Sequence, residues 1–326
     1  MQSVPDCLIM KTFVTKNFLL IILILAVGFA FAVKATVFQK PSVAAPPAVT
    51  TVLPAAFTTY WQAGKAEINT YRLEQAQAGA LHTGEARLIF AVEDFRTDSQ
   101  VQSATEASRD KVIPVLKANL FRTFAAGLED YSLATSVFTP INSPIFTNTL
   151  KVSITAQDWS GHSYLQLNYR TNEYQVTGKS YIEPEADEAY AVPKAMLEDE
   201  LWSRIRIAPD KLPIGDIQLI PGTITARLRH RKLEPLAARA KLESYEGVLY
   251  PGKLLKAYVI EYPTDDRSLR IIFEGEFPHT IVGWAETYPS KDNLLTSRAV
   301  LKKTIQSDYW NHNTPADTSL RAQLLR

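Results

Sequence analysis

Apolar and polar positions alternate with a period of two through much of this chain, the pattern of strands that bury one face. Between Glu85 and Glu93, Ala86, Leu88, Phe90 and Val92 alternate with Arg87, Ile89, Ala91 and Glu93. A second run from Ala66 to Gln75 precedes it, with Gly79 and Thr83-Gly84 between them as turn residues, so an antiparallel pair is expected. Leu150 to Ala156 and Ser163 to Tyr169 form another such pair around Gln157-Asp158-Trp159-Ser160-Gly161-His162, and Glu173 to Ile182 extends it.

The period then changes. After Pro193, Leu197, Leu201 and Ile205 recur every four residues with Trp202 beside them, which predicts a helix with Glu198, Asp199 and Glu200 turned away from its apolar side. Pro209 ends it. Thr223 to Arg229, Ala257 to Tyr262, Leu269 to Gly275, Ile281 to Thr287 and Ser297 to Ile305 read as five further strands. Asp110 to Phe124 fits either period, and Pro114 argues for an extended start. The series predicts a mainly β protein: a large curved antiparallel sheet or incomplete barrel with one or two helices, wrapped around an apolar interior. This β-rich domain is expected over 59–310, as one body or as two halves meeting near 190–209 where the helix interrupts the strands. Residues 311–326 read as a C-terminal tail.

The N-terminus adds an address. Asn17 to Val33 carries no charge, follows Lys11 and Lys16, and ends in Ala30-Phe31-Ala32. That order matches a secretory signal cleaved after Ala32 or Ala35 and complete from Met10. The same stretch lies near the lower limit of roughly 17 residues for spanning a bilayer, so 1–35 is expected to be a signal peptide or a membrane anchor. Residues 36–58, rich in Pro, Ala and Thr, read as a flexible linker. The expected location is therefore the periplasm or cell envelope. Cys7, the only cysteine, precedes the apolar run, so cleavage leaves no thiol for a disulfide, a metal site or a nucleophile. With 35 Lys and Arg against 34 Asp and Glu, a net charge of +1 gives no general attraction for nucleic acid.

Catalytic signatures are sparse. There is no phosphate-cradling Gly-rich loop opening a helix, no Ser between two glycines in an elbow, and no His pair at metalloprotease spacing. The best local set is Asp158, Ser160 and His162: the carboxylate could orient the imidazole and the hydroxyl could attack, a metal-independent hydrolase in outline. The same residues are what a tight turn selects. Glu183, Glu185, Asp187 and Glu188 offer oxygen ligands for a hard cation, but without the spacing of a helix-loop-helix calcium site they read as a solvated acidic loop. Arg227 and Arg229, on one face of the expected strand, could grip a carboxylate or phosphate, or pair with Glu198, Glu200 and Glu234 for stability.

Trp61 with Gly64-Lys65-Ala66-Glu67, Tyr71-Arg72-Leu73-Glu74-Gln75-Ala76, and Gly84-Glu85-Ala86 with Leu88-Ile89-Phe90 resemble an uncharacterised bacterial exported family. Gln157 to His162, Leu197-Glu198 with Glu200-Leu201-Trp202, Ile205-Arg206, Pro209 with Leu212-Pro213 and Gly215, and Phe277-Pro278 leading to Gly283-Trp284 extend the resemblance across most of 61–310. Members are often labelled septum formation inhibitor Maf. The Ser-rich, Arg-containing phosphate motif of the cytoplasmic Maf pyrophosphatases is absent here, so the label does not carry over. In that family the position of Ser160 is commonly Cys, so an activity that depended on the thiol would be missing. The architecture it implies is similar to the half-barrels of periplasmic lipoprotein carriers.

The leading expectation is a non-enzymatic envelope protein that binds an apolar or amphipathic ligand, such as a lipid, or an envelope protein partner through a curved sheet, with no cofactor, metal or nucleic acid. Trp159, Tyr164, Trp202 and Trp284, with Arg227 and Arg229, are the candidate ligand-facing residues, although large aromatics mainly serve packing. A hollow interior would favour carriage, and a tightly filled one would count against it. The alternatives are the hydrolase and an envelope-assembly scaffold, which would expose a large apolar patch.

Overall fold

The computed structural model describes residues 53–104 and 109–325; the expected signal or anchor over 1–35 and residues 36–52 of the expected linker lie outside them. Among the described residues, no helix is long and apolar enough to cross a membrane.

The expected strands are present except for Thr223 to Arg229, and most are longer than the sequence pattern marks them. After a short helix α1 (Ala55–Trp61), β1 (Ala66–Gln77) turns at Ala78-Gly79, both at positive φ, into β2 (Ala80–Arg96). Thr83-Gly84, expected at the turn, lies inside β2, where a Cβ on Gly84 would meet the Thr123 carbonyl oxygen at 2.3 Å. The meander continues through β3 (Val112–Ala126), β4 (Glu129–Pro140), β5 (Lys151–Asp158), β6 (Gly161–Arg170), β7 (Glu173–Ser180) and β8 (Ala189–Pro193). Pro114 lies near the start of β3 opposite Asp94, so the ambiguous segment is strand from Val112 onward, after a 3-10 turn over Arg109–Lys111.

The second run comprises β9 (Met196–Leu197), helix α2 (Leu201–Ile207), β10 (Gly215–Ile220), helix α3 (Thr223–Leu228), β11 (Leu236–Ser244), β12 (Leu255–Tyr262), β13 (Arg267–Glu274), β14 (Ile281–Ser290) and β15 (Asn293–Ser307). Helix α4 (Thr318–Leu325) closes the chain and is largely exposed.

These strands form one continuous sheet ordered β8-β7-β6-β5-β4-β3-β2-β1-β15-β14-β13-β12-β11-β10-β9. Neighbours pair antiparallel, except β9 and β10, which pair parallel. The two edge strands, β8 and β9, are joined by Lys194 and Ala195 alone. Three Cα steps of 3.8 Å span at most about 11 Å, so the sheet must curl until its edges approach. They do not pair, and the result is an incomplete barrel.

One face of every strand points into this curl. Leu88 and Phe90 on β2, Val152 and Ile154 on β5, Tyr258 and Ile260 on β12, and Trp284 on β14 belong to a single core together with Leu201, Trp202 and Ile205 of α2 and Ile224 of α3. A smaller cluster, Tyr250, Leu255, Ala257, Val259, Ile272 and Val282, covers the outer face of β12–β14.

Four local expectations are corrected. Thr223 to Leu228 is helical, because Thr223, Ile224, Thr225, Ala226 and Leu228 are all buried inside the curl and no strand face is turned to water. Pro193 ends β8 instead of opening a helix; a single 3-10 turn, Glu198–Glu200, leads into α2. Glu198, Asp199 and Glu200 are buried, not turned to solvent. At the N-terminus, the folded part begins within the expected linker, since Phe57 of α1 is buried and lies 6.4 Å from the ring of Phe277.

Candidate functional site: a cleft between the sheet and an inner helix

The interior is closed by charge as well as by apolar packing. Arg267 on β13 donates to both carboxylate oxygens of Glu198 and to Glu286 of β14, at 2.6 Å through Nη2 and 3.1 Å through Nε. Tyr262 donates to Glu198 at 2.6 Å, Arg122 of β3 reaches Glu286 at 3.4 Å, and Thr225 of α3 donates to Glu286 as well. Burial works against a charge on Glu286, but Arg267 and Arg122 outweigh it and hold the carboxyl down at about 2. Arg206 of α2 pairs with Glu67 of β1, both with fully buried side chains. Such groups are tolerable away from water only when paired and hydrogen-bonded. They fasten α2 and α3 to the wall and are too deeply enclosed to touch a ligand.

The same enclosure places Trp202 and Trp284 in the core. They are 4% and 0% exposed, with their rings edge to face at 5.2 Å. The middle of the curl is therefore filled, which counts against a carrier with a hollow axis.

Open space remains to one side of α3. A cleft of about 530 Å³ lies between α3 and the inner face of β5–β7. That volume is within the roughly 300–1,000 Å³ usual for small-molecule sites. Its floor is aliphatic: Ile154 of β5 faces Leu165 of β6, which faces Gly178 of β7, with Ala226 of α3 and Leu233 opposite. Gly178 leaves the floor open where a Cβ would meet the Glu188 side chain at 2.8 Å. The rim is polar and mostly cationic, with Arg227, His230, Arg231, Lys232 and Lys179 against Glu185 and Glu188.

Local structure fixes the rim. Arg227, the one residue of α3 that is not buried, donates through Nε to Ser163 and lies 3.2 Å from Glu185 Oε2. His230, at positive φ just after the helix, places Nδ1 2.6 Å from Glu185 Oε1. Lys232 lies 4.1 Å from the centre of the Tyr190 ring, a cation-π contact. Partial burial raises the Glu188 carboxyl above the usual range, Lys232 opposes that rise, and nearby Glu185 adds to it.

The remaining sequence candidates are dispersed. Asp158 accepts from the backbone N–H groups of Ser160 and Gly161 at 2.9 and 3.1 Å, a capped turn. His162 pairs across the ladder with Gln157, and Asp158 with Gly161, so the pleat sends the carboxylate and the imidazole to opposite faces. Ser160 lies 3.4 Å from Glu129, not from His162. The local arrangement is thus a turn, and no hydrogen bond joins the three residues as a relay. Trp159, at the turn's tip, is 66% exposed and borders a separate surface depression with Phe124 and Tyr131.

Tyr164 lines the cleft. Arg227 and Arg229 do not converge on one anion: Arg227 of α3 faces Ser163 and Glu185, while Arg229, just past the helix, pairs with Asp265 through Nη1 and Nη2. The acidic stretch does not gather either, since Glu185 faces Arg227 and His230 while Asp187 pairs with Lys179 at 2.9 Å. Among the described residues, no group of three or more His, Cys, Asp or Glu side chains is placed to hold a metal ion.

The sequence pattern does not mark Ser163, Lys232 or the aliphatic floor as a site: the floor residues are legible only as strand core, while His230 and Arg231 continue the basic run of Arg227 and Arg229 beyond the expected strand.

No protein-family profile matches the chain. No curated protein is similar to it at a significant level. Among solved structures, similarity is found to one described as a beta-barrel-like protein of domain of unknown function DUF1849 from Brucella abortus: 9% identical, with a TM-score of 0.47, covering 74% of this chain and 98% of that one.

Proposed function

We propose that this chain is a non-enzymatic protein of the cell envelope that receives an apolar or amphipathic ligand in the cleft between α3 and the inner face of β5–β7. The observation that carries the reading is the lining of that cleft, an aliphatic floor under a charged rim, which matches a molecule with one greasy end and one polar end. The filled core supports a ligand held at the side of the curl and not along its axis. Export rests on the sequence order of cationic start, apolar run and small residues before the domain.

Native mass spectrometry of the full chain, purified from membranes of its own cells, tests the proposal. A copurifying lipid-sized mass is expected, and it should be lost on Leu165→Asn, which keeps the side chain's length and branching but makes the floor polar. A strictly ligand-free protein, or a lipid retained equally by both forms, would remove the cleft as the binding place. Recovery of the intact chain from the soluble cytoplasmic fraction would remove the envelope location.

A further inference from the structure

We infer that the polar end of this cleft is an anion site, suited to a single-chain amphiphile with a carboxylate or phosphate head, and that Glu185 holds that position from within the chain. The inference rests on the ligand-binding reading of the cleft and adds the class of head group and the residue that competes with it.

The geometry around Glu185 is that of a receptor for an oxyanion. Arg227 lies 3.2 Å and the His230 Nδ1 2.6 Å from its two oxygens, and Ser180 donates its hydroxyl to Oε2 at 3.4 Å. Ser163 accepts from Arg227 Nε and so fixes the plane of the guanidinium. Nothing in this donor set is particular to a glutamate: a carboxylate or phosphate monoester presents the same acceptors to a guanidinium fork. The surroundings favour negative charge, since Arg231 and Lys232 line the cleft, with Lys179 beside them although it also pairs with Asp187.

Glu185 is delivered by a short strap. Between β7 and β8 the chain makes one 3-10 turn, Glu183–Glu185, whose own bonds are local: Glu185 N–H to Ile182 O at 2.9 Å and Ala186 N–H to Glu183 O at 3.3 Å. Ile182 and Pro184 border the cleft beside the carboxylate. An incoming anion would exchange with Glu185, which then passes into water. The cationic partners keep a counter-charge throughout, so the exchange leaves no unpaired charge. The aliphatic tail of the same molecule would lie along Ile154, Leu165 and Leu233. An uncharged amphiphile would have the floor but no reason to displace Glu185.

Isothermal titration of the full chain, in the form the cell leaves it, with octyl phosphate and with octyl glucoside separates these statements. Glu185→Gln removes the internal competitor's charge, and octyl phosphate should bind about tenfold tighter, while octyl glucoside changes by less than about twofold. Arg227→Gln should weaken octyl phosphate by about tenfold and spare octyl glucoside. Unchanged octyl phosphate affinity in Glu185→Gln, or an equal shift for both compounds, would overturn the anion site while leaving the cleft's ligand role standing. If neither compound binds the wild type or Glu185→Gln, the ligand-binding reading falls and the anion site with it.

Discussion

Asp199 is the residue whose charge state the fold constrains most openly. Burial raises its carboxyl from the ordinary value to about 7, Thr223 N–H opposes the rise by donating to it at 2.9 Å, and the neighbouring Glu198 adds to it. In the unfolded chain the same group titrates near its usual value of about 3.9. Between roughly pH 4 and pH 7 the native protein therefore binds a proton that the unfolded chain does not, and stability falls as pH rises through that window. At about 1.4 kcal/mol for each unit of difference, the total approaches about 4 kcal/mol. Asp199→Asn keeps an acceptor for the Thr223 N–H and removes the titration. Every other group is shared by the two proteins, so the difference between their urea unfolding free energies isolates this one. The variant should gain on the wild type as pH is raised from 4.5 to 8, by about 3 kcal/mol. A difference that stays constant with pH would mean that Asp199 is already ionised in the native state.

At the scale of elements, the inner helices depend on pairing with the wall. Arg267 is the joint through which the segment before α2 reaches β13 and β14, because its guanidinium serves Glu198 and Glu286 together. Arg267→Met leaves both carboxylates enclosed without that partner, and a loss of about 3–5 kcal/mol is expected in denaturant unfolding. Adding Glu198→Leu should recover much of it, since the buried charge leaves with the cation's partner. A loss below about 1 kcal/mol would show that water reaches these carboxylates. The same enclosure explains what the sequence pattern could and could not reveal. Strands such as β2 and β5 keep one face in the core and alternate legibly, and the mainly β incomplete barrel follows from them. Helix α3 is surrounded, so its buried Thr, Ile and Ala positions carry no period, and a β-branched run reads as strand. Glu198 and Asp199 look like a solvated helix face because their partners, Arg267 and Thr223, lie many residues downstream. The cleft was legible only in fragments, as Tyr164 and Arg227, because its floor is assembled from three strands and a helix that the pattern misassigned.

For the whole molecule, the question is whether the runs β1–β8 and β9–β15 behave as one body. The described residues form one compact unit, and the runs meet along the β1–β15 seam from Ala66 opposite Ser307 to Glu74 opposite Arg298. Buried side chains also cross between them: Thr149 donates to Glu200 at 2.7 Å, Arg206 pairs with Glu67, and Arg122 reaches Glu286. The covalent link at Lys194-Ala195, by contrast, joins two edges that do not pair, and Lys194 is exposed. Contacts of the first kind hold the runs together whether or not the second is intact. Loop entropy changes only slowly when a connection is lengthened, so a protease site inserted between Lys194 and Ala195 should be tolerated. After cleavage there, the two fragments should elute together and unfold in urea as a single transition, as one cooperative domain does. Fragments that separate without denaturant, or that melt in two steps, would mean that the seam and the buried pairs are weaker than the backbone link, and that the curl is two halves resting against each other.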